Sequence, residues 1–340
     1  MKYDKVFITS QPSFYKQKLW NEVAKRCRIF VIFTESSNAT RNKDFYKGNI
    51  LFEHTFVSGG ALAQTNAIVK WFRKNEASEL VFGGWDRLPS VIMSFLSPKA
   101  KNSTILESTI FESRTTGAKA IVKKLFMRRM SKAYAPGISN AKLAEVLGLK
   151  SNIVLTGGCG LLNYIEQPAF EPRKEVKNFV FVGRLIPVKN LEFLIRVFNN
   201  LPHLNLTIVG FGELEQTLKD IAKENVTFTG AIANEKLSEV YQAHDVFILP
   251  SKSETWGLVV EEALNNGLPI IVSDRVGCGA DLATPETGLI FDYSNENSLR
   301  EAVLKMTDVS FYNKLRQNVS KMDFLKRAEH QVETFCQSNV

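Results

Sequence analysis

Short, nearly continuous apolar runs alternate along the chain with stretches whose apolar residues recur every three to four positions. Residues 28–33, Arg-Ile-Phe-Val-Ile-Phe, and Asn178–Val182, Asn-Phe-Val-Phe-Val, are apolar almost throughout, the pattern of a strand covered on both faces. Between such runs, residues 14–26 place Tyr15, Leu19, Trp20, Val23 and Ala24 at helical spacing. The first half reads as strands over 5–9, 28–33, 80–82, 104–106 and 133–135, with weaker strands at 50–52 and 56–57. Helices are expected over 14–26, 60–74, 117–131 and 140–147, the last stopped by Gly148. Prolines and charged residues crowd into 164–177 and break this rhythm, as an interdomain linker does. A second series follows. Its strands are expected over 178–182, 204–209, 226–229, 245–249, 270–272 and 288–291, and its helices over 190–199, 213–224, 234–243, 296–307 and 311–337. Repeated β–α alternation predicts an α/β protein with parallel sheets wrapped by helices.

A length of 340 residues suits two such domains rather than one. The content, 44% hydrophobic and 23% charged, is that of an ordinary folded protein. The first residues lack the long apolar region of a signal peptide, and no run approaches the roughly 18 apolar residues that span a bilayer. Cys27, Cys159, Cys278 and Cys336 are scattered, which suits a reducing, cytoplasmic setting. His54, His203, His244 and His330 show no metal-ligand spacing, so no metal site is expected. The net charge of +8 is uneven: residues 1–168 carry 25 Lys and Arg against 12 Asp and Glu, and residues 169–340 carry 18 against 23. The basic first half is therefore expected to meet an anionic partner, whether a membrane surface, a nucleic acid or a phosphorylated substrate. Nucleic acid is disfavoured, because no recognised module and no aromatic-basic interleaving is present.

The chemistry-bearing residues of the second half gather at strand ends, where ligands bind in open parallel sheets. Gly183-Arg184 follows one strand, Gly210-Phe-Gly212 the next, Gly230-Ala-Ile232 the next, and residues 250–257 the fourth. Gly210-Phe-Gly212 is equally a tight turn, and it lacks the third glycine of a dinucleotide fingerprint. Arg184 and Lys189 share a strand-to-helix loop and can grip a diphosphate, although a solvated basic loop looks the same. At Gly257-Leu258 a helix should open, with backbone N–H groups available for a phosphate. Glu254, in the loop, and Glu262, two turns along, can each accept hydrogen bonds from sugar hydroxyls. A helix cap and a solvated face residue are the alternatives. Glu261 beside Glu262 adds a one-residue ambiguity.

Gly183-Arg184…Lys189-Asn190, Val209-Gly-Phe-Gly212, Val226-Thr-Phe-Thr-Gly230, Leu249-Pro-Ser251 and Glu254-x7-Glu262 with Ala-Leu-x-x-Gly-Leu-Pro behind it occur in one order. Together they resemble the donor half of family-4 glycosyltransferases, enzymes of the GT-B type with two Rossmann-like domains facing a cleft. The resemblance is dense over 178–293 and loose over the first half. It implies an acceptor-binding domain over 1–165, a linker at 166–177 and a nucleotide-sugar domain over 178–310, with the terminal helix, about 311–337, packing back on the first domain. By the same resemblance Arg184 and Lys189 would hold the donor diphosphate and Glu254 would contact the transferred sugar. Glu262 would take the ribose, the Gly257 and Leu258 amides the distal phosphate, and the backbone near Ile232 the base. Gly183 and Gly210 count with the donor-binding residues. The family transfers from UDP- or GDP-sugars, with retention of configuration and without a metal; no Asp-x-Asp motif is present.

Two departures stand out. Thr255-Trp256-Gly257 replaces the family's Gly-Phe-Gly, and Glu107-Ser108-Thr109 stands where many members carry a catalytic His. Glu107 is thus the first-domain catalytic candidate, and Asp86, in Gly83-Gly84-Trp85-Asp86, is a second site candidate. Residues 118–132 form a basic amphipathic helix in which Ile121, Val122, Leu125 and Phe126 are expected to face inward. Lys119, Lys123, Lys124, Arg128 and Arg129 ring the rest, for solvent or for anionic lipid. The expected function is sugar transfer to a glycan or lipid-linked glycan in bacterial surface polysaccharide synthesis, at the cytoplasmic face of the membrane. A nucleotide-sugar 2-epimerase and a non-catalytic nucleotide-sugar-binding subunit are the alternatives.

Overall fold

The computed structural model describes residues 1–35 and 48–337. The chain divides into two compact units, residues 1–162 with 326–340, and residues 163–325.

The first unit is a seven-stranded parallel sheet in the order β3-β2-β1-β4-β5-β6-β7. Its strands are β1 (Lys2–Thr9), β2 (Ile29–Phe33), β3 (Glu53–Phe56), β4 (Glu76–Phe82), β5 (Asn102–Ile105), β6 (Lys132–Ala135) and β7 (Ile153–Leu155). Its helices are α1 (Phe14–Ala24), α2 (Ala61–Phe72), α3 (Leu88–Leu96), α4 (Ala118–Arg128) and α5 (Ile138–Val146). One sheet face packs Val6, Ile8, Leu80 and Phe82 under Ile68 of α2, Met93 of α3, Phe126 and Met127 of α4 and Leu143 of α5. On the other face Phe7 meets Trp20 of α1 and Phe335, with ring centroids 5.3 and 6.1 Å apart. Lys5 and Glu79 pair inside this sheet, and Glu79 also accepts the Tyr134 hydroxyl at 2.9 Å. The buried carboxylate is thereby both charge-paired and hydrogen-bonded, as a charge away from water must be.

The second unit is a six-stranded parallel sheet in the order β10-β9-β8-β11-β12-β13. It comprises β8 (Asn178–Val182), β9 (Asn205–Val209), β10 (Val226–Gly230), β11 (Val246–Leu249), β12 (Ile270–Ser273) and β13 (Gly288–Phe291). The helices are α6 (Leu191–Asn199), α7 (Glu215–Ile221), α8 (Leu237–Gln242), α9 (Leu258–Asn265), α10 (Gly279–Leu282), α11 (Glu296–Met306) and α12 (Val309–Val319); α13 (Phe324–Cys336) closes the chain. In α6 the apolar positions Leu191, Phe193, Leu194, Ile195, Val197 and Phe198 are all buried, so hydrophobic burial orders that helix.

Several elements differ from the sequence expectation. The edge strand β3 covers Glu53–Phe56 rather than 50–52 and 56–57, because it is largely polar and mostly exposed and hydrophobicity does not mark it. Helix α3 was not anticipated: Leu-Pro-Ser-Val-Ile-Met-Ser-Phe-Leu is apolar on nearly every side and masks the helical period. The short strand β7 was missed as well. The single helix over 311–337 is two, α12 and α13, separated at residues 320–323, and only the chain from Lys326 groups with the first unit. Tyr312 of α12 instead donates its hydroxyl to the Asp245 carbonyl at 2.9 Å within the second unit. In α4 the inward residues are Ala120, Phe126 and Met127, while Ile121, Val122 and Leu125 are exposed, reversing most of the expected face. Phe126 is turned in by Phe82 and Trp85, with ring centroids at 6.0 and 6.3 Å. Among the described residues no helix is long and apolar enough to cross a membrane.

Candidate functional site

In the second sheet the strand order reverses between β8 and β11, and a crevice at the carboxyl ends of such strands is where open α/β sheets bind ligands. The loops after those two strands carry most of the predicted residues.

The loop after β8 runs Gly183-Arg-Leu-Ile186 into a single 3-10 turn, Pro187–Lys189, and then α6. The loop after β9 presses against it. Leu185 N–H donates to the Phe211 carbonyl at 2.9 Å and Leu214 N–H to the Leu185 carbonyl at 3.1 Å. Gly210 has φ +136°, and a Cβ there would stand 1.8 Å from the Gly183 carbonyl oxygen. Gly183 and Gly210 thus let two backbones touch, a structural need that holds whatever binds nearby. Arg184 is exposed, and Lys189 is largely buried with 13% of its side chain exposed.

The loop after β11 is tied down on two sides. Lys252 N–H donates to the Val188 carbonyl at 2.8 Å, Glu254 N–H to the Arg275 carbonyl at 3.1 Å, and Gly277 N–H to the Glu254 carbonyl at 2.9 Å. This clamp places the Glu254 carboxylate against the Lys189 ammonium, and the two form an ion pair with 18% of the Glu254 side chain exposed. The candidate sugar contact and one candidate diphosphate contact are therefore brought together as an ion pair. Gly257, at φ +101° and ψ 63°, is the N-cap of α9, a left-handed conformation that suits glycine. Leu258 opens the helix, whose first N–H groups have no intrahelical acceptor. Ile232 is half-buried in the loop behind β10, on the far side of β9 from β8.

Adjacent glutamates on α9 have opposite fates. Glu261 is 1% exposed and accepts the Trp256 indole N–H at 2.7 Å and the Tyr164 hydroxyl at 2.8 Å. Glu262 is half-buried and accepts the Tyr241 hydroxyl at 3.0 Å. Burial pushes the Glu262 carboxyl up to about 7, against the Tyr241 hydrogen bond, and the neighbouring Glu261 charge adds to the rise. Glu261 is committed to the interior, while Glu262 keeps part of its side chain at the surface. Sequence reasoning missed the Glu261 anchor. The signal available was Trp256, a large aromatic with one N–H that needs an acceptor when buried.

Residues 166–177, read as a linker, lie in the second unit as a strap. Asn265 exchanges hydrogen bonds with Ile165, Gln167 donates to the Leu264 and Val319 carbonyls, and Asn313 exchanges bonds with Arg173.

In the first unit Glu107 lies just past β5 and pairs with Lys16 of α1 at 2.7 Å. Burial alone would lower the Lys16 pKa, yet the Glu107 and Tyr15 side chains raise it above its usual value. Asp86 is exposed beside Arg87, which pairs with Glu35. Thr34, Glu35, Phe56, Gln64, Asp86 and Arg87 line a hollow of about 600 Å³ at the carboxyl ends of this sheet.

The two parallel sheets, their strand orders and their solved neighbours define the architecture as the GT-B fold of glycosyltransferases. A protein of Anabaena, HepE, solved in complex with UDP and glucose, superposes with a TM-score of 0.70 at 14% identity, over 98% of this chain and 99% of that one. Residues 165–322 match the family of glycosyl transferases group 1. The sulfoquinovosyl transferase SQD2 of Arabidopsis thaliana is 32% identical over 156 residues, 44% of this chain and 29% of its own. A GDP-mannose-dependent alpha-mannosyltransferase of Mycobacterium tuberculosis is 38% identical over 125 residues, 36% of this chain and 32% of its own. The match thus spans about a third of the length of these curated relatives.

Proposed function

We propose that this protein transfers a sugar from a nucleotide diphosphate sugar to a hydroxyl of a glycan or lipid-linked glycan. The observation that carries the reading is the Lys189–Glu254 pair, clamped where the strand order reverses, within the stretch that matches the glycosyl transferases. In the reaction the bond from the anomeric carbon to the diphosphate breaks and a bond to the acceptor oxygen forms. The acceptor proton is lost and the diphosphate leaves with the electron pair. Lys189, with Arg184, stabilises that growing negative charge, while Glu254, positioned by its ion pair with Lys189, accepts hydroxyls of the transferred sugar. Glu262 accepts the ribose hydroxyls, the Gly257 and Leu258 amides meet the distal phosphate, Ile232 lies by the base, and Gly183 and Gly210, by letting their two loops touch, shape the donor side. Glu107, paired with Lys16, serves the acceptor side. Retention of configuration, independence of metal and a place in surface polysaccharide synthesis rest on the resemblance of Glu254-x7-Glu262 to family-4 enzymes. The related mannosyltransferase uses GDP-mannose and the Anabaena structure holds UDP, so both nucleotides are donor candidates.

The test is a thermal-shift screen against UDP, GDP and their sugars, followed by product analysis with glycan acceptors. The folded state should gain stability with one nucleotide series, and that donor should yield a glycosylated product that Glu254→Ala does not form. An epimerised nucleotide sugar made without acceptor, or full turnover by Glu254→Ala, would overturn the proposal.

A further inference from the structure

We propose that the outer face of the α2–α3–α4 layer is a docking surface for an anionic lipid bilayer. These three helices cover the same face of the first sheet, where Ile68, Met93, Phe126 and Met127 point into the core. A helix layer of this kind normally presents polar residues outward. Here the outward positions include Leu62 at 73% exposure, Leu96 at 62%, Ile121 at 60% and Phe95 at 51%. Val122 and Leu125 are exposed beside them. Between α2 and α3 a mostly apolar slot of about 390 Å³, lined by Val69, Phe72, Met93 and Leu96 with Glu76 and Lys101 also in its wall, offers room for an acyl chain.

Basic residues predominate around these side chains, with Glu76 at the slot and Glu112 near Lys123 as acidic neighbours. None of α2, α3 or α4 contains an acidic residue. Residues 113–144 hold eight Lys and Arg and no Asp or Glu. Lys119, Lys124 and Arg128 are exposed on α4 among Ile121, Val122 and Leu125. Arg129 ties α4 to α3, donating to the Ser94 and Ser97 carbonyls at 3.1 and 2.8 Å, with its guanidinium 5.6 Å from the Phe95 ring centroid. The two helices therefore present their exposed side chains as one unit.

The composition selects lipid over protein. Protein interfaces concentrate Trp, Tyr and Arg and are poor in Lys. This face carries mainly aliphatic residues, and on α4 lysines outnumber arginines. The aliphatic residues can enter the acyl boundary while long cationic side chains reach the head groups. Anionic lipid supplies the complementary charge, and each nearby Lys or Arg adds attraction that salt screens.

The experiment is co-sedimentation of the full chain with vesicles of phosphatidylcholine alone and of phosphatidylcholine with about one-third phosphatidylglycerol. Binding should be at least roughly tenfold tighter to the anionic vesicles and should fall as salt rises. The pair Ile121→Asp with Leu125→Asp changes exposed positions and should abolish binding with an unchanged melting temperature. Lys124→Glu with Arg128→Glu should weaken it at least roughly tenfold. Ile221→Asp, an exposed position of α7 in the other unit, should bind as the wild type does. Equal binding to both vesicle types, no binding to either, or full binding by the Ile121/Leu125 variant would overturn the proposal. So would a dimer in vesicle-free solution that this variant dissociates, which would assign the face to a second copy. The assay uses neither donor nor acceptor, so its outcome is independent of the transferase reading.

Discussion

Glu261→Gln isolates the division of labour between the adjacent glutamates. The Glu261 carboxylate accepts two donors, the buried Trp256 indole N–H at 2.7 Å and the half-buried Tyr164 hydroxyl at 2.8 Å. Glutamine keeps the shape but offers one oxygen and one NH2 group; with the oxygen on the Trp256 N–H, the NH2 meets the Tyr164 hydroxyl, which can accept it but whose own proton then loses its carboxylate acceptor. Leaving a buried donor unsatisfied costs about 1–3 kcal/mol, and the lost hydrogen bond to a charged acceptor brings the total to about 2–4 kcal/mol. For a unit of this size that lowers the melting temperature by about 5–12 °C. Tyr164→Phe removes one donor and should cost only about 1 kcal/mol. In the double variant no hydroxyl proton is left without an acceptor. The two changes should therefore be clearly less than additive, by about 1 kcal/mol. Urea and thermal unfolding followed by tryptophan fluorescence read these differences, and Trp256 reports on the site directly. The reasoning fails if Glu261→Gln melts with the wild type, or if it weakens nucleotide binding while leaving stability unchanged.

Glu262 should make stability depend on pH. Its folded value of about 7 lies above the ordinary 4.5, so the folded state holds this proton more tightly than the unfolded chain does. The associated stability is present below about 4.5 and is lost as the pH rises to about 7, a loss of up to about 3 kcal/mol. Glu262→Gln should melt above the wild type at pH ~8 and level with it at pH ~4; parallel profiles would refute the assignment. Lys189→Ala should weaken nucleoside diphosphate binding about tenfold or more by calorimetry, and an unchanged affinity would contradict a diphosphate contact. Gly210→Ala should fail to give stable protein, losing more than about 3 kcal/mol, because its methyl would stand 1.8 Å from a backbone oxygen that neighbouring strands hold in place. Wild-type melting in that variant would show that the loops after β8 and β9 can part.

Most of the fold is legible in the chain because parallel strands covered on both faces announce themselves as unbroken apolar runs. Asn178–Val182 and Ile29–Phe33 do so. The polar edge strand β3 and the uniformly apolar helix α3 escape this logic, since neither shows the period of its own class. The candidate donor loop is legible for a different reason. Glycines, carboxylates and cations fall at successive strand ends, and strand ends are where backbone groups and loops can face a ligand. The face that α4 turns inward is not legible, because its sequence allows two overlapping apolar stripes. Contact with Phe82 and Trp85 selects the one containing Phe126 and Met127 and leaves Ile121, Val122 and Leu125 outside.

By itself the sequence determined the β–α alternation, the two-part organisation and the spacing of Glu254 and Glu262, because these are local properties of hydrophobic period and turn chemistry. Tertiary structure alone decided which of two adjacent carboxylates is an anchor. Glu261 turns inward to reach Tyr164, 97 positions away, and Trp256. It alone paired Lys189 with Glu254, 65 positions apart, by clamping the loop after β11 between its neighbours. It also paired Lys16 with Glu107. A charge in water is indifferent to residues far along the chain. Once burial removes that water, each carboxylate must find its own cation or donor, and only the folded chain says which one is within reach.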